Sequence, residues 1–335
     1  MKNYILGLVT SLILIAVFSF STKTNNIKTA SKAEEVPLIV KDYKSHGFYV
    51  EQSKLWQQEL KLNKKDENAW FNLFKANRFA KLTYNDEHSP EMSWKQNTEW
   101  IKEADHLLEG KEIVKQIEAS IPGTFMEYYL KFYDSEDLGK EKFHLLEKAF
   151  AINPNFYEIY DDFVIHYEIE GNSEKRREFN QKWFESNDFS ENLLNYHFNV
   201  LMTLKENSVL FSYGDNPLLA PLMLQDAKGV REDVTVVNIP LMVAEIDYRN
   251  SILKKLTIKS FDKEYKDGWS DDNMKEVINH MINNKPKETP LYFDLTMQES
   301  LKKDFEDNLY MVGLALEYSE ENIDNLAELK NNFNN

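Results

Sequence analysis

The stretch Asn207–Ile239, NSVLFSYGDNPLLAPLMLQDAKGVREDVTVVNI, restricts the fold more than any other part of the chain. Val209–Tyr213 is an apolar run of strand length. Gly214-Asp215-Asn216 is a turn, and a helix runs from there through Gln225. A Gly-containing turn at Gly229 leads into a second apolar strand, Val234–Val237. Two short apolar strands separated by a helix must pair in parallel, because only a crossover of this length returns the chain to the same end of the sheet. Asn216 suits the N-cap and Pro217 the first helical position, where its missing N–H costs nothing. Gly214 suits a tight turn with positive φ. In an open sheet of this kind the loop after the first strand faces the ligand crevice, so Gly214-Asp215-Asn216 is where a site is expected.

The alternation continues towards the carboxyl end. Val243–Leu256 is predicted to be one helix, Asp262–Asp271 a polar loop and Met274–Ile282 an amphipathic helix. Pro290–Leu295 (PLYFDL) reads as a strand, Gln298–Phe305 as a short helix and Tyr310–Tyr318 as a single final strand. Strands alternating with helices predict a three-layer α/β domain with a mainly parallel sheet over residues 205–320. A helical tail is expected over 321–335.

Residues 43–204 read as helices. Glu51–Leu62, Asp66–Leu82, Thr98–Ala119 and Gly123–Phe132 each carry apolar residues at helical spacing, with Gly110 and Pro122 as breakers. Further on, Phe143, Leu146, Ala149 and Phe150 precede Asn153-Pro154. A helix with Tyr160, Phe163 and Tyr167 follows, then Gly171 and a helix over Ser173–Trp183. Small residue, proline and repeating aromatics in that order resemble the tetratricopeptide repeat over about Phe143–Ser190, although Arg176 stands where that repeat takes a small residue. The fold expected is therefore α plus α/β: an N-terminal array of tetratricopeptide-like helical hairpins, then the α/β domain. Repeats of this kind present surfaces to protein partners.

Residues 1–21 carry Lys2, the apolar run Tyr4–Phe20 and a small-x-small cleavage pattern at Ser19–Ser21. These are the marks of an export signal, or of an N-terminal anchor if it is not cleaved. Residues 22–42 read as a flexible linker. Membrane contact is expected only through residues 4–20 if they are retained, and the body is expected in the periplasm or cell envelope. The absence of cysteine excludes disulfides and thiolate chemistry. With 40 Lys and Arg against 56 Asp and Glu, the net charge of −16 opposes binding to nucleic acid.

No Walker loop, dinucleotide fingerprint, zinc helix or nucleophile elbow occurs, and no cofactor or metal is called for. Glu103-x-x-His106 and Asp162/His166 have helical spacing, but a di-iron site needs two such motifs and more carboxylates. Both pairs are expected to be solvated or ion-paired locally. The segments Val209–Asn216, Leu224-Gln225, Gly229–Val234, Val237-Asn238, Asp247-Tyr248, Pro290–Phe293 and Gly313–Ala315 together resemble a soluble C-terminal domain. That domain is found in bacterial membrane proteins similar to protein O-mannosyltransferases. The resemblance spans about Asn207–Tyr318 and implies an α/β fold and an envelope setting. Glycosyl transfer is not implied, because the family's catalytic part is a multi-span membrane segment that this sequence does not contain. The family pattern also continues Gly-Asp-Asn with Asp-Thr, where Pro217-Leu218 stand here. Prolines at 217 and 221 remove N–H donors that an anion site would use.

The candidate ligand-binding residues are thus Asp215 and Asn216, with Asn238 beside them and Arg231 or Arg249 across the crevice. This polar set suits a polyhydroxylated ligand such as a glycan. The alternative placement is structural: Arg231 pairs with Asp233, and Asn238 caps the next turn. Two functions follow. One is an exported, non-catalytic accessory or scaffold protein that holds an envelope protein partner through its helical repeats. The other is a carbohydrate-binding or carbohydrate-active protein that uses the crevice at Asp215.

Overall fold

The computed structural model describes residues 32–38, 42–88, 99–134, 142–265 and 270–333. The expected export signal lies outside them, so nothing structural bears on it. Part of the expected linker is not free. Val36 is fully buried, and its N–H donates to Asn72 Oδ1 at 2.7 Å.

Helices α1 (His46–Leu62) and α2 (Glu67–His88) pack against each other, α1 starting on the Ser45 side-chain cap. The predicted helix over Thr98–Ala119 is instead a 3-10 turn, Glu99–Glu103, followed by α3 (Gly110–Ser120). Helices α4 (Phe125–Tyr133) and α5 (Phe143–Ile152) pair next, then α6 (Tyr160–Ile169) and α7 (Ser173–Ser186). Their aromatic faces interlock, with Phe163 stacked on Phe179 at 4.1 Å between ring centres. Helix α8 (Glu191–Thr203) follows, and its Val200 and Leu201 pack into the core of the α/β half rather than the helical one. The boundary at residue 204 therefore divides the sequence pattern, while packing shares α8 with the sheet.

The α/β half begins with β1 (Val209–Ser212), α9 (Asn216–Lys228) and β2 (Thr235–Asn238), paired in parallel with Val209 opposite Thr235. Helices α10 (Ile239–Ala244) and α11 (Ile246–Lys255) replace the single helix predicted over 243–256, because Glu245 sits in extended backbone between them. Helix α12 (Asp271–Asn284), capped by Ser270, precedes β3 (Leu291–Asp294), which joins β1 in parallel. Short α13 (Glu299–Lys302) and a 3-10 turn lead to β4 (Leu309–Met311) and β5 (Ala315–Tyr318), and α14 (Asn325–Phe333) ends the described chain.

The sheet order is β2-β1-β3-β5-β4, and both the β3–β5 and β4–β5 ladders are antiparallel. The sheet is therefore mixed rather than mainly parallel, and the strand predicted over Tyr310–Tyr318 is a hairpin. Three residues link β4 to β5, far too few for a parallel crossover. Gly313 sits in that turn at φ +154°, and a Cβ there would come within 2.5 Å of Thr203 Cγ2. Only glycine admits this approach to α8.

Two apolar cores result, and α9 belongs to both. Its Leu218 and Leu222 join the sheet core, while Leu219 and Met223 enter the helical core. This explains a crossover helix that is buried continuously from Pro217 to Asp226. Arg176 of α7 fastens the junction. Its Nε and Nη2 donate to Asp226 of α9 at 2.8 and 2.9 Å, and its Nη1 donates to Glu168 of α6. The arginine that stands where the repeat takes a small residue is one of the residues that tie the two halves together.

Candidate functional site

Beyond β1 the chain turns through Gly214, at φ +91°, and enters α9. Asp215, not Asn216, occupies the cap position of α9. Its backbone oxygen accepts from Leu218 and Leu219, while its carboxylate makes no capping bond. Asn238 closes β2 and does two jobs: Oδ1 accepts from Leu241 N at 3.0 Å, capping α10, and Nδ2 donates to the Gly214 carbonyl at 2.9 Å. Its own N–H donates to the hydroxyl of buried Tyr248 at 3.1 Å. The carboxyl ends of β1 and β2 thus hold the Gly214 loop rigidly, leaving Asp215 and Asn216 directed away from the sheet.

They face a cavity of about 680 Å³ between the two halves. The helical half contributes Glu158 and Asp161 at the start of α6 and Trp183 from α7. Asp188, Phe189 and Ser190 come from the α7–α8 connection, and Asn192, Leu193 and Tyr196 from α8. Leu219 of α9 and Leu38 of the N-terminal segment complete the wall. Trp183 Nε1 donates to Asp188 Oδ2 at 3.3 Å, and its ring meets Phe189 edge-on at 5.1 Å. Among the described residues no Lys, Arg or His lines the cavity.

Two of its carboxyl groups, those of Asp161 and Asp215, are raised above the usual carboxylate range. Burial pushes Asp161 up to about 7, opposed by a hydrogen bond from Asp162 N and reinforced by the negative charges of Asp215, Glu158 and Asp188. Burial also raises Asp162, with Asp161 adding to it and Arg78 opposing. Asp215 keeps solvent contact through the cavity, yet the protein around it still raises its carboxyl by desolvation. Perturbed carboxyls gathered in a concave site are a common mark of function.

The two arginines expected across the crevice stand elsewhere. Arg231 grips Asp233 with both Nε and Nη2 at 2.9 Å and donates to the carbonyls of Leu201, Leu204 and Lys205, closing the carboxyl end of α8. That hydrogen bond leads the interactions that hold Asp233 down to about 2. Arg249 is 1% exposed, donates to the Met242 carbonyl at 2.8 Å and lies against the rings of Phe261 and Tyr265. Both are structural. The structure brings together Asp215 and Asn216, with Asn238 supporting their loop from behind.

The helical pairs read from sequence also resolve. Glu103 and His106 share no helix. Glu103 meets His46 Nε2 at 2.5 Å, while His106 Nε2 bonds the Val50 carbonyl at 2.8 Å. His166 reaches Glu170 at 3.3 Å and stacks on Phe143. Asp162 is not solvated as expected, but partly buried beside Asp161. Among the described residues no group of three or more His, Asp or Glu side chains is placed to hold a metal.

Asp161, Trp183, Phe189 and Tyr196 were not legible as site residues, because they lie on the far half and read as ordinary helix positions. Asp294 was also missed. It closes β3 at 0% exposure, with Oδ1 accepting from Thr296 N and Oγ1 while Oδ2 is unbonded. His197, 1% exposed, has Nδ1 unbonded. Burial lowers His197 and Asp294 opposes that shift, so the two sense each other behind Tyr196. A carboxylate ending the apolar run PLYFDL was the available signal.

No protein-family model, curated protein or solved structure matches this chain. Among the described residues no helix is long and apolar enough to cross a membrane.

Proposed function

We propose that this is an exported, envelope-associated protein without catalysis of its own, and that it binds a saccharide in the cavity at Asp215. One observation carries the reading: a cavity of about 680 Å³ closed by both halves, with the rings of Phe189 and Tyr196 beside the polar groups of Asp215, Asn216 and Asn192. Sugars present apolar ring faces and a belt of hydroxyls. Aromatic walls with a few convergent carboxylate and amide groups answer both. The resemblance of residues 207–318 to a soluble C-terminal domain of O-mannosyltransferase-like membrane proteins agrees with this ligand class and setting.

A glycan array followed by fluorescence titration tests it, with Trp183 in the wall as the reporter. The expected result is saturable binding that falls at least tenfold in Phe189→Ala and Asp215→Asn, both melting near the parent temperature. Absence of any glycan signal refutes the reading. A second reading, a scaffold for an envelope protein partner, is favoured by the pairing of successive helices, α1 with α2, α4 with α5 and α6 with α7. That is how tetratricopeptide-like repeats are built. Crosslinking in intact cells that recovers one envelope protein, with no glycan bound, would select it.

A further inference from the structure

From the cavity's chemistry we infer that its ligand carries an ammonium group on the saccharide body, as an amino sugar does, seated between Asp161 on the helical wall and Asp215 on the loop after β1. This rests on the saccharide reading of the same cavity and narrows it.

Two independent features single out a cation. The first is that two carboxylates converge on the cavity without a cation beside either. Buried Asp226 and Glu168 have Arg176 and Glu317, 7% exposed, has Lys205 at 2.7 Å, while Asp294 at the end of β3 is held by hydrogen bonds from Thr296. Among the described residues Asp161 and Asp215 form no ion pair, and no basic side chain lines their cavity. Asp161 and Asp215 face the same open volume from different halves. An uncompensated desolvated charge is costly, so it is retained where a ligand supplies the missing partner.

The second feature is the wall itself. Trp183, Phe189, Tyr196 and Leu219 line the same volume, and the faces of aromatic rings attract ammonium groups while excluding anions. Glu158 and Asp188 add negative charge, so a phosphorylated or uronic ligand is repelled. A neutral sugar would leave both carboxylates without a cation. An ammonium donates three hydrogen bonds and accepts none, which matches a cavity whose charged groups are all acceptors. The groups that act on Asp161 and Asp162 are the carboxylates of Glu158, Asp188 and Asp215, together with Arg78 on the Asp162 side. Binding a cation here favours ionised Asp161 and so releases a proton near neutral pH.

The test uses the full chain in 150 mM salt, titrated with tetrasaccharides of glucosamine, N-acetylglucosamine and glucose, and with spermidine. The expected result is that the glucosamine tetramer binds at least tenfold more tightly than all three others. Asp161→Asn and Asp215→Asn, which keep shape and remove charge, are expected to abolish that preference. Calorimetry in two buffers is expected to show proton release on binding at pH 7. Equal binding of the acetylated or glucose tetramer overturns the ammonium inference and leaves the saccharide reading standing. Equal binding of spermidine overturns the amino-sugar assignment in favour of a bare cation site. Preference for glucosamine that survives both Asn variants assigns it to the −16 surface and also overturns the inference. Failure of every saccharide, neutral ones included, removes the underlying reading as well.

Discussion

Replacing Arg176 by Met tests whether one guanidinium holds the two halves together. In the parent, Arg176 makes two parallel bonds to Asp226, at 2.8 and 2.9 Å, and a third to Glu168, while Asn180 Nδ2 also donates to Asp226 at 2.7 Å. The side chain of Asp226 is 1% exposed, that of Glu168 7% and that of Arg176 16%. Methionine preserves the apolar length of the stem but leaves two buried carboxylates with no cation. Removing one partner of a buried pair costs about 3–5 kcal/mol, mostly the desolvation of what remains. Against a typical total of about 5–15 kcal/mol, that is a large share of the stability. The melting temperature should fall by roughly 4–7 °C for a chain of 335 residues.

Urea unfolding is the assay, run on Arg176→Met and on the triple variant Arg176→Met/Glu168→Leu/Asp226→Leu. Buried ion clusters replaced whole by apolar side chains are often neutral, so the triple variant should recover more than half of the loss. A single variant that loses less than about 1 kcal/mol would refute the reasoning. So would a triple variant no better than the single one, because the loss would then not come from stranded charge.

Other consequences can be measured separately. The raised Asp161 carboxyl binds its proton more tightly folded than unfolded, so it weakens the fold as pH rises from about 4 to about 7 and no further above that. Asp161→Asn should flatten the stability profile across that window and stabilise the chain at pH 8 by of order 1–2 kcal/mol in chemical melts; an unchanged slope counts against a desolvated carboxyl. Gly313→Ala places a Cβ 2.5 Å from Thr203 Cγ2 and should cost about 1–3 kcal/mol, part of it recovered by adding Thr203→Ala. Arg249→Met should lower stability by about 1–3 kcal/mol, stranding the carbonyls of Met242 and Lys263, yet leave ligand affinity unchanged, since Arg249 lies away from the cavity. A loss of affinity at constant fold would return Arg249 to the site.

What residues 207–239 determined alone was local and strong. Apolar runs of strand length, a turn glycine, a proline at the helix start and a crossover too long for a hairpin permit one arrangement, and the β1–α9–β2 unit has it. The same local logic located Asp215 and Asn216 in the first loop of the sheet, and it held Arg231–Asp233 and the Asn238 cap as the structural alternative that the geometry shows.

Tertiary structure decided the rest. Helix α9 reads as a crossover for the sheet, yet its Leu219 and Met223 serve the helical core, and periodicity cannot say which neighbour an apolar face meets. Arg176 reads as a flaw in a repeat until Asp226, 50 residues on, is placed beside it. The Tyr310–Tyr318 segment reads as one strand because the turn at Gly313 follows from contact with α8 rather than from local propensity. The cavity is the clearest case. Asp161 and Asp215 are 54 positions apart and belong to different halves, and the surroundings that raise both carboxyls exist only once those halves close. Sequence pattern encodes which surfaces are apolar; which of them meet, and which carboxylates they enclose, depends on long-range packing that no local window contains.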